Sequence, residues 1–242
     1  EEFYGLGKSI LVSIGNMDTE KVSKFIETEF SDFKSSQPYT KISDPHKAVK
    51  AINENIITPD KQNAMTFGSM DVKISENDQD YAALNIASSI LGGGFLNSRI
   101  ADRLRQKDGV SYGAGAGFQA DGDQEDKNSQ MYLYAIYAPA NFDKVQLGFK
   151  EEIARFISDG ITQEELENAV NGWTQAQNVS RAKDNELSSL INNNIFYDRD
   201  MSFHKELEAK VAKLTVADVN AAIKKYIRPF DQWSVVNAGD FK

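Results

Sequence analysis

Arg105 and Tyr112 stand seven positions apart in LRQKDGVSYGAG, residues 104–115, a stretch that reads as a helix end running into a strand. A guanidinium presents a rigid fork of donors and a phenol one more, so the pair could hold and polarise the carbonyl oxygens of a bound polypeptide. The same residues have an ordinary account. A cation at a helix C-terminus gains about 0.3–1 kcal/mol from the helix dipole, and Tyr is a common strand residue. The pattern alone leaves both readings open.

Other reactive residue types are scarce. The chain has two histidines, His46 and His204, and no cysteine. No His-x-x-Glu-His occurs, nor two histidines one helical turn apart, so no metal site is expected within this chain. His204 and Glu208 could share a helix face, a common coincidence of spacing. A Ser-His-Asp arrangement lacks its Gly-x-Ser-x-Gly elbow. The absence of cysteine excludes disulfides, Cys-type zinc sites and thiol catalysis. The acidic run Asp121, Asp123, Glu125 and Asp126 lacks the glycine and distal glutamate of a helix–loop–helix calcium site and is expected to be a solvated hairpin tip. Gly92-Gly93-Gly94 precedes a helix without a following Lys-Ser/Thr, which fits a breaker between two helices better than a phosphate cradle.

Composition narrows the partners. The 242 residues suffice for one large domain or one and a half ordinary ones. The net charge of −9 argues against nucleic acid and against an anionic membrane surface. No run of about 18 apolar residues could span a bilayer. The chain does not begin with Met and carries no visible signal peptide, so it is read as a processed or excised piece.

The elements that must position Arg105 and Tyr112 follow from periodicity. SILVSIGNMD (residues 9–18) reads as a buried strand, and Asp18 caps a helix with Val22, Phe25, Ile26 and Phe30 as its apolar stripe. Pro38 and Pro45 lie in a polar linker over 31–51. AMTFGSMDVKI is a strand. Leu84, Ser88 and Leu91 mark a helix ending at the glycines, and Leu96, Ile100 and Leu104 a second ending at Gly109. VSYGAGAGF alternates, with Val110, Tyr112, Ala114, Ala116 and Phe118 on one face and Ser111 with three glycines on the other. QMYLYAIYAP is its partner strand. Phe142, Val145, Phe149 and Phe156 form a helix closed by Gly160. Thr162 with Glu165 caps the next, and Thr215 with Asp218 the last. WSVVNAGDF is a final strand that resembles the first. Strands leading and helices following predict an α+β fold, a mostly antiparallel sheet with helices packed on one face.

Together LGGGFLNSRIADRLRQKDGVSYGAGAGF, TQEELENAVN and VVNAGDF resemble the second-half signature of the insulinase/pitrilysin-type zinc peptidases, with a Gly-rich break over Leu91–Ser98, Ser98-Arg99 at a helix start, and the spaced Arg105 and Tyr112. The resemblance implies residues 1–30 as the tail of a preceding homologous domain, 31–51 as a linker, and 52–242 as the metal-free C-terminal domain of a metalloendopeptidase that cleaves peptides in an enclosed chamber. It implies that zinc and the water it activates belong to the other half of the complete enzyme, an N-terminal zinc-binding half or a partner subunit. Arg105 and Tyr112 would face the peptide substrate, the Tyr hydroxyl donating to the oxygen on which charge grows. Phe95, Leu96 and Phe118 could line the chamber or belong to the core. Without His-x-x-Glu-His this chain alone is not expected to hydrolyse peptides. A non-catalytic structural or assembly subunit is the alternative. A bacterial periplasmic setting is an expectation of the resemblance alone.

Overall fold

The computed structural model describes residues 5–94 and 97–241. In chain order its main elements are α1 (Thr19–Phe30), β1 (Asn53–Ile57), β2 (Ala64–Lys73), α2 (Tyr81–Ser88), α3 (Arg99–Ala101), β3 (Ser111–Gln119), β4 (Asn128–Tyr137), α4 (Phe142–Asp159), α5 (Gln163–Arg181), α6 (Asp184–Phe196), α7 (Met201–Val211), α8 (Val216–Tyr226) and β5 (Ser234–Gly239). The chain divides into two compact units. One runs from the N-terminus to Ser43 and includes Gln175–Glu206; the other comprises Asp44–Thr174 and Leu207 onward.

The larger unit holds a five-stranded sheet in the order β1-β5-β2-β4-β3. All neighbours are antiparallel except β1 and β5. Alternation along β2 and β4 sends every second residue into a core with Met70, Val72, Met131, Leu133 and Ala135. Helices cover that face: α2 contributes Leu84 and Ile86, α4 Val145, Phe149, Ile153 and Phe156, and α8 Val219 and Ile223. The expected α+β architecture is therefore present, with the capping boxes at Thr162–Glu165 and Thr215–Asp218 both formed.

Two helices end in widened turns. After α2 the chain continues through Ser89–Gly93, where the Gly94 amide donates to the Ser89 carbonyl, five residues back, at 2.9 Å. After α3 it continues through Asp102–Lys107, where the Asp108 amide donates to Arg103 at 3.0 Å. Such insertions occur often where a helix is fitted to a functional constraint. The first brings backbone against backbone: a Cβ on Gly92 would lie 1.9 Å from the Ala116 amide nitrogen of β3.

In the smaller unit α1 begins at the Asp18 cap, whose carboxylate accepts from the Lys21 amide at 3.1 Å. No residue of α1 is buried, and Phe25 is 59 % exposed. The stretch expected as a buried strand over 9–18 belongs to no sheet among the described residues, and Leu11 is 61 % exposed. An apolar stripe or an alternating run is buried only where a second layer covers it, and a strand forms only against a partner edge. Between α6 and α7, the Arg199 guanidinium lies over the rings of Tyr197 and Phe203 at 4.7 and 4.3 Å. His204 Nε2 is 2.8 Å from Asn194 Oδ1.

Candidate functional site

Arg105 sits in the widened turn that continues α3. Its neighbour Leu104 is buried and anchors the turn in a notch of α4, where a Cβ on Gly148 would meet Leu104 Cδ2 at 2.5 Å. Gly109 at φ +64° reverses the chain, and the Val110 amide returns to the Leu104 carbonyl at 2.9 Å. Two of the three cations here are held within the protein. Arg103 donates to Asp108 and Glu151, both at 2.7 Å, and Lys107 pairs with Asp102 at 2.7 Å. The half-exposed Arg105 makes no hydrogen bond or ion pair among the described residues.

Tyr112 leaves the alternation its sequence predicts. Ser111 pairs with Tyr137 and Gly113 with the next residue back, Ile136, so Tyr112 is the extra residue of a β-bulge. Ala114 and Ala116 face the core as expected, whereas Tyr112 is 66 % exposed. The Ser111 hydroxyl braces the bulge at 2.8 Å from the Gly113 carbonyl and 2.9 Å from that of Ile136. Bulges commonly re-aim a side chain at a strand end. Arg105 and Tyr112 thus lie on either side of one helix–strand corner, and neither is engaged within the described residues.

The glycines of β3 lie under tyrosine rings. A Cβ on Gly117 would come 2.4 Å from Tyr132 Cζ and Oη, and one on Gly115 3.3 Å from Tyr134 Cε1. The two β4 rings therefore spread over β3 in the space that side chains would fill. On the same uncovered face Phe67 stacks on Tyr132, with centroids 6.2 Å apart and planes inclined by 12°. Phe95 and Leu96 lie outside the described residues. Phe118 packs against the core, 6.2 Å from Tyr81.

Several polar groups have structural partners that sequence spacing did not reveal. His46 Nε2 is 2.9 Å from Asp71 Oδ2, while Arg228 donates to Asp71 Oδ1 at 2.8 Å. The acidic hairpin loop is not wholly solvated: Asp126 is buried, and its carboxylate and carbonyl accept from the amides of Asp44 and His46, each at 2.8 Å. Asp121 and Asp123 accept from the loop's own amides. Arg99, at the start of α3, donates to both oxygens of Glu165, at 2.6 and 2.8 Å, and to the Gly160 carbonyl at 2.7 Å. Among the described residues no three His, Asp or Glu side chains converge as metal ligands.

Burial works to raise the carboxyls of Asp71 and Glu165. It is outweighed by hydrogen bonds, from Arg228 and His46 to Asp71 and from Arg99 and Thr162 to Glu165, so both are held below the usual carboxylate range. A carboxyl depressed in the folded state stabilises the fold above its unfolded-state value and loses that contribution as pH falls through the folded one. Thermal midpoints should stay level from neutral pH down to about 5 and fall below about 4, near the ordinary Asp and Glu values. The decline should be shallower in Glu165→Gln, and parallel curves for the two proteins would show that this pair does not contribute.

A mostly antiparallel sheet with helices packed on one face, and Arg105 and Tyr112 unengaged among the described residues at its corner, makes this an α+β domain. The chain belongs to the family described as "Peptidase M16 inactive domain", which matches residues 1–172. It is similar to the "non-peptidase homolog YmxG" of Helicobacter pylori, 22 % identical over 248 residues, covering 92 % of this chain and 50 % of that relative. The peptidase M16 inactive domain of Pseudomonas fluorescens superposes with a TM-score of 0.76 at 22 % identity, over 93 % of this chain and 52 % of the other. The periplasmic protease PqqL of Escherichia coli does so with a TM-score of 0.67 at 17 % identity, over 93 % of this chain and 24 % of the other. The chain thus spans about half the length of the curated relative it matches.

Proposed function

We propose that this chain is the substrate-binding, metal-free part of a larger metalloendopeptidase, in which Arg105 and Tyr112 hold a peptide against the corner between the widened α3 turn and β3. The observation that carries this reading is the division of labour among the cations of that turn. Arg103 and Lys107 are spent on carboxylates of the protein, whereas Arg105, with five donors, has no hydrogen-bond or ion-pair partner among the described residues, and Tyr112 across the corner is exposed. In this reading the guanidinium orients backbone carbonyls and the phenol donates to the carbonyl that is attacked. The bulge at Ser111–Gly113 keeps that phenol out of the core. In this reading zinc belongs to another half, on the same chain or a partner subunit.

The domain division proposed from the sequence takes 1–30 as the tail of a preceding domain, 31–51 as a linker and 52–242 as the family domain; the compact units instead group residues up to Ser43 with Gln175–Glu206, and the family match begins at residue 1. A periplasmic setting belongs to the same proposal, PqqL being a periplasmic relative. A second reading, a non-catalytic assembly subunit, is favoured by the relative named a non-peptidase homolog. In the complete protein, Arg105→Ala and Tyr112→Phe should each lower peptide turnover at least roughly tenfold, about 1.4 kcal/mol, with zinc content unchanged. Unaltered turnover in both variants would return the pair to a helix-end cation and a strand aromatic. A complete protein without turnover or zinc would favour the assembly reading.

A further inference from the structure

The uncovered sheet face is not uniform. Its apolar part is centred on Phe67 of β2 and Tyr132 and Tyr134 of β4, with Met65 and Ile136 paired across the two strands at one end. Met65, Phe67 and Ile136 are 42, 43 and 37 % exposed. Because β3 offers only glycine beneath the tyrosines, the rings make a flat platform rather than a ridge. At the other end of β2 the outward residue is Asp71, whose oxygens are taken by His46 and Arg228. The segment bearing His46, fastened to Asp126 as well, therefore bounds the platform there.

From this geometry we propose that the platform of Phe67, Tyr132 and Tyr134 selects peptides by a bulky uncharged side chain, aromatic or branched aliphatic, laid flat on the rings. The inference rests on the reading of Arg105 and Tyr112 as peptide-facing groups and names the class of peptide they would hold. Three observations choose this occupant. The platform runs into the candidate site, since Ile136 pairs with Gly113, the residue next to the bulged Tyr112. Along β2 the charge nearest the rings, Asp71, is already paired with His46 and Arg228, and the next outward charge, Glu54 of β1, lies beyond Val236, so a charged side chain laid on the rings themselves would lose water without a partner in contact. The area is too small for a second copy of the chain. Three strands at about 4.8 Å spacing and four residues of about 3.4 Å span roughly 14 by 14 Å, about 200 Å², against about 800 Å² per partner in a stable protein interface.

The test uses the whole chain and a fluorescein-labelled, ten-residue extended peptide with one central Phe, beside versions with Ser or Asp at that position, read by anisotropy. The Phe peptide should bind at least roughly tenfold more tightly than the other two. Phe67→Ser and Tyr132→Ser should each remove that preference, Phe67→Tyr should keep it, and thermal midpoints identify any variant that has lost its fold. Equal binding of the three peptides, a preference that survives in folded Phe67→Ser, or no binding of any peptide would overturn the proposal. So would sedimentation showing that Phe67 mediates self-association. Equal binding that is nonetheless lost in Arg105→Ala would leave the Arg–Tyr reading standing and remove the platform. A preference retained in Arg105→Ala and Tyr112→Phe at unchanged affinity would do the reverse.

Discussion

Gly92→Ala is expected to destabilise the domain by roughly 3 kcal/mol or more, or to leave it insoluble. The added methyl would lie 1.9 Å from the Ala116 amide nitrogen, 2.4 Å from its Cβ and 2.5 Å from its Cα. Two of those atoms are backbone of β3, so relief requires the strand or the Ser89–Gly93 turn to retreat. Overpacking of a core costs about 1–3 kcal/mol when side chains absorb it, and more when they cannot. The gain of about 1 kcal/mol that Ala has over Gly inside a helix is too small to offset this. Adding Ala116→Gly should not rescue the variant, because the nitrogen stays where it was. Gly117→Ala is the informative control, since its methyl meets the end of the Tyr132 ring, which can rotate away. Denaturant midpoints of the three variants give the order directly. A Gly92→Ala protein as stable as the unaltered chain would mean that the close approach of turn and strand is not obligatory.

Arg99→Ala should cost about 2–4 kcal/mol. Arg99 bridges three elements: it binds Glu165 of α5 through two donors, takes the Gly160 carbonyl that α4 leaves at its end, and lies over the Phe156 ring at 5.0 Å. Removing it strands a half-buried carboxylate and an unpaired carbonyl, and stranding a buried partner costs more than the pair itself contributes. The two side chains are 17 and 28 % exposed, which sets the figure below that of a fully enclosed pair. At roughly 2–4 °C per kcal/mol for a chain of this size, the midpoint should fall by about 5–15 °C. Lys in its place should recover only part, having no planar fork for two oxygens. Arg99→Ala combined with Glu165→Gln should lose less than the sum of the single changes. Strict additivity would show that the contact carries no coupling.

What the sequence made legible and what it did not divide by range. The boxes at Thr162 and Thr215 are local, since residues three positions apart make their hydrogen bonds, and the helix ends at Gly109 and Gly160 rest on the positive φ that glycine adopts. Their types therefore announced them. The strands AMTFGSMDVKI and QMYLYAIYAP were readable because period-two alternation survives any tertiary arrangement. Tyr112 departs from the expected alternation because it is the one inserted residue between Ser111 and Gly113, and nothing in VSYGAGAGF marks the insertion. That Arg105 is unengaged while Arg103 is not depends on Glu151, 48 residues along, and His46 owes its partner to strand β2. The open aromatic face does carry a signal in the sequence. In MYLYAIY both alternating sets are apolar, which is unusual for a strand with one face in water.

Among the described strands the one latest in sequence is the second in the sheet. β5 lies between β1 and β2, joining Asn53 to Val235 and Met65 to Ala238. Until residues near 239 leave the ribosome, β1 has no neighbour to bond, and its exposed NENII sequence must wait some 180 residues for one. The edge of the sheet is thus sealed by residues some 180 positions further along, so a chain that stops before Ser234 would leave β1 without the neighbour it bonds.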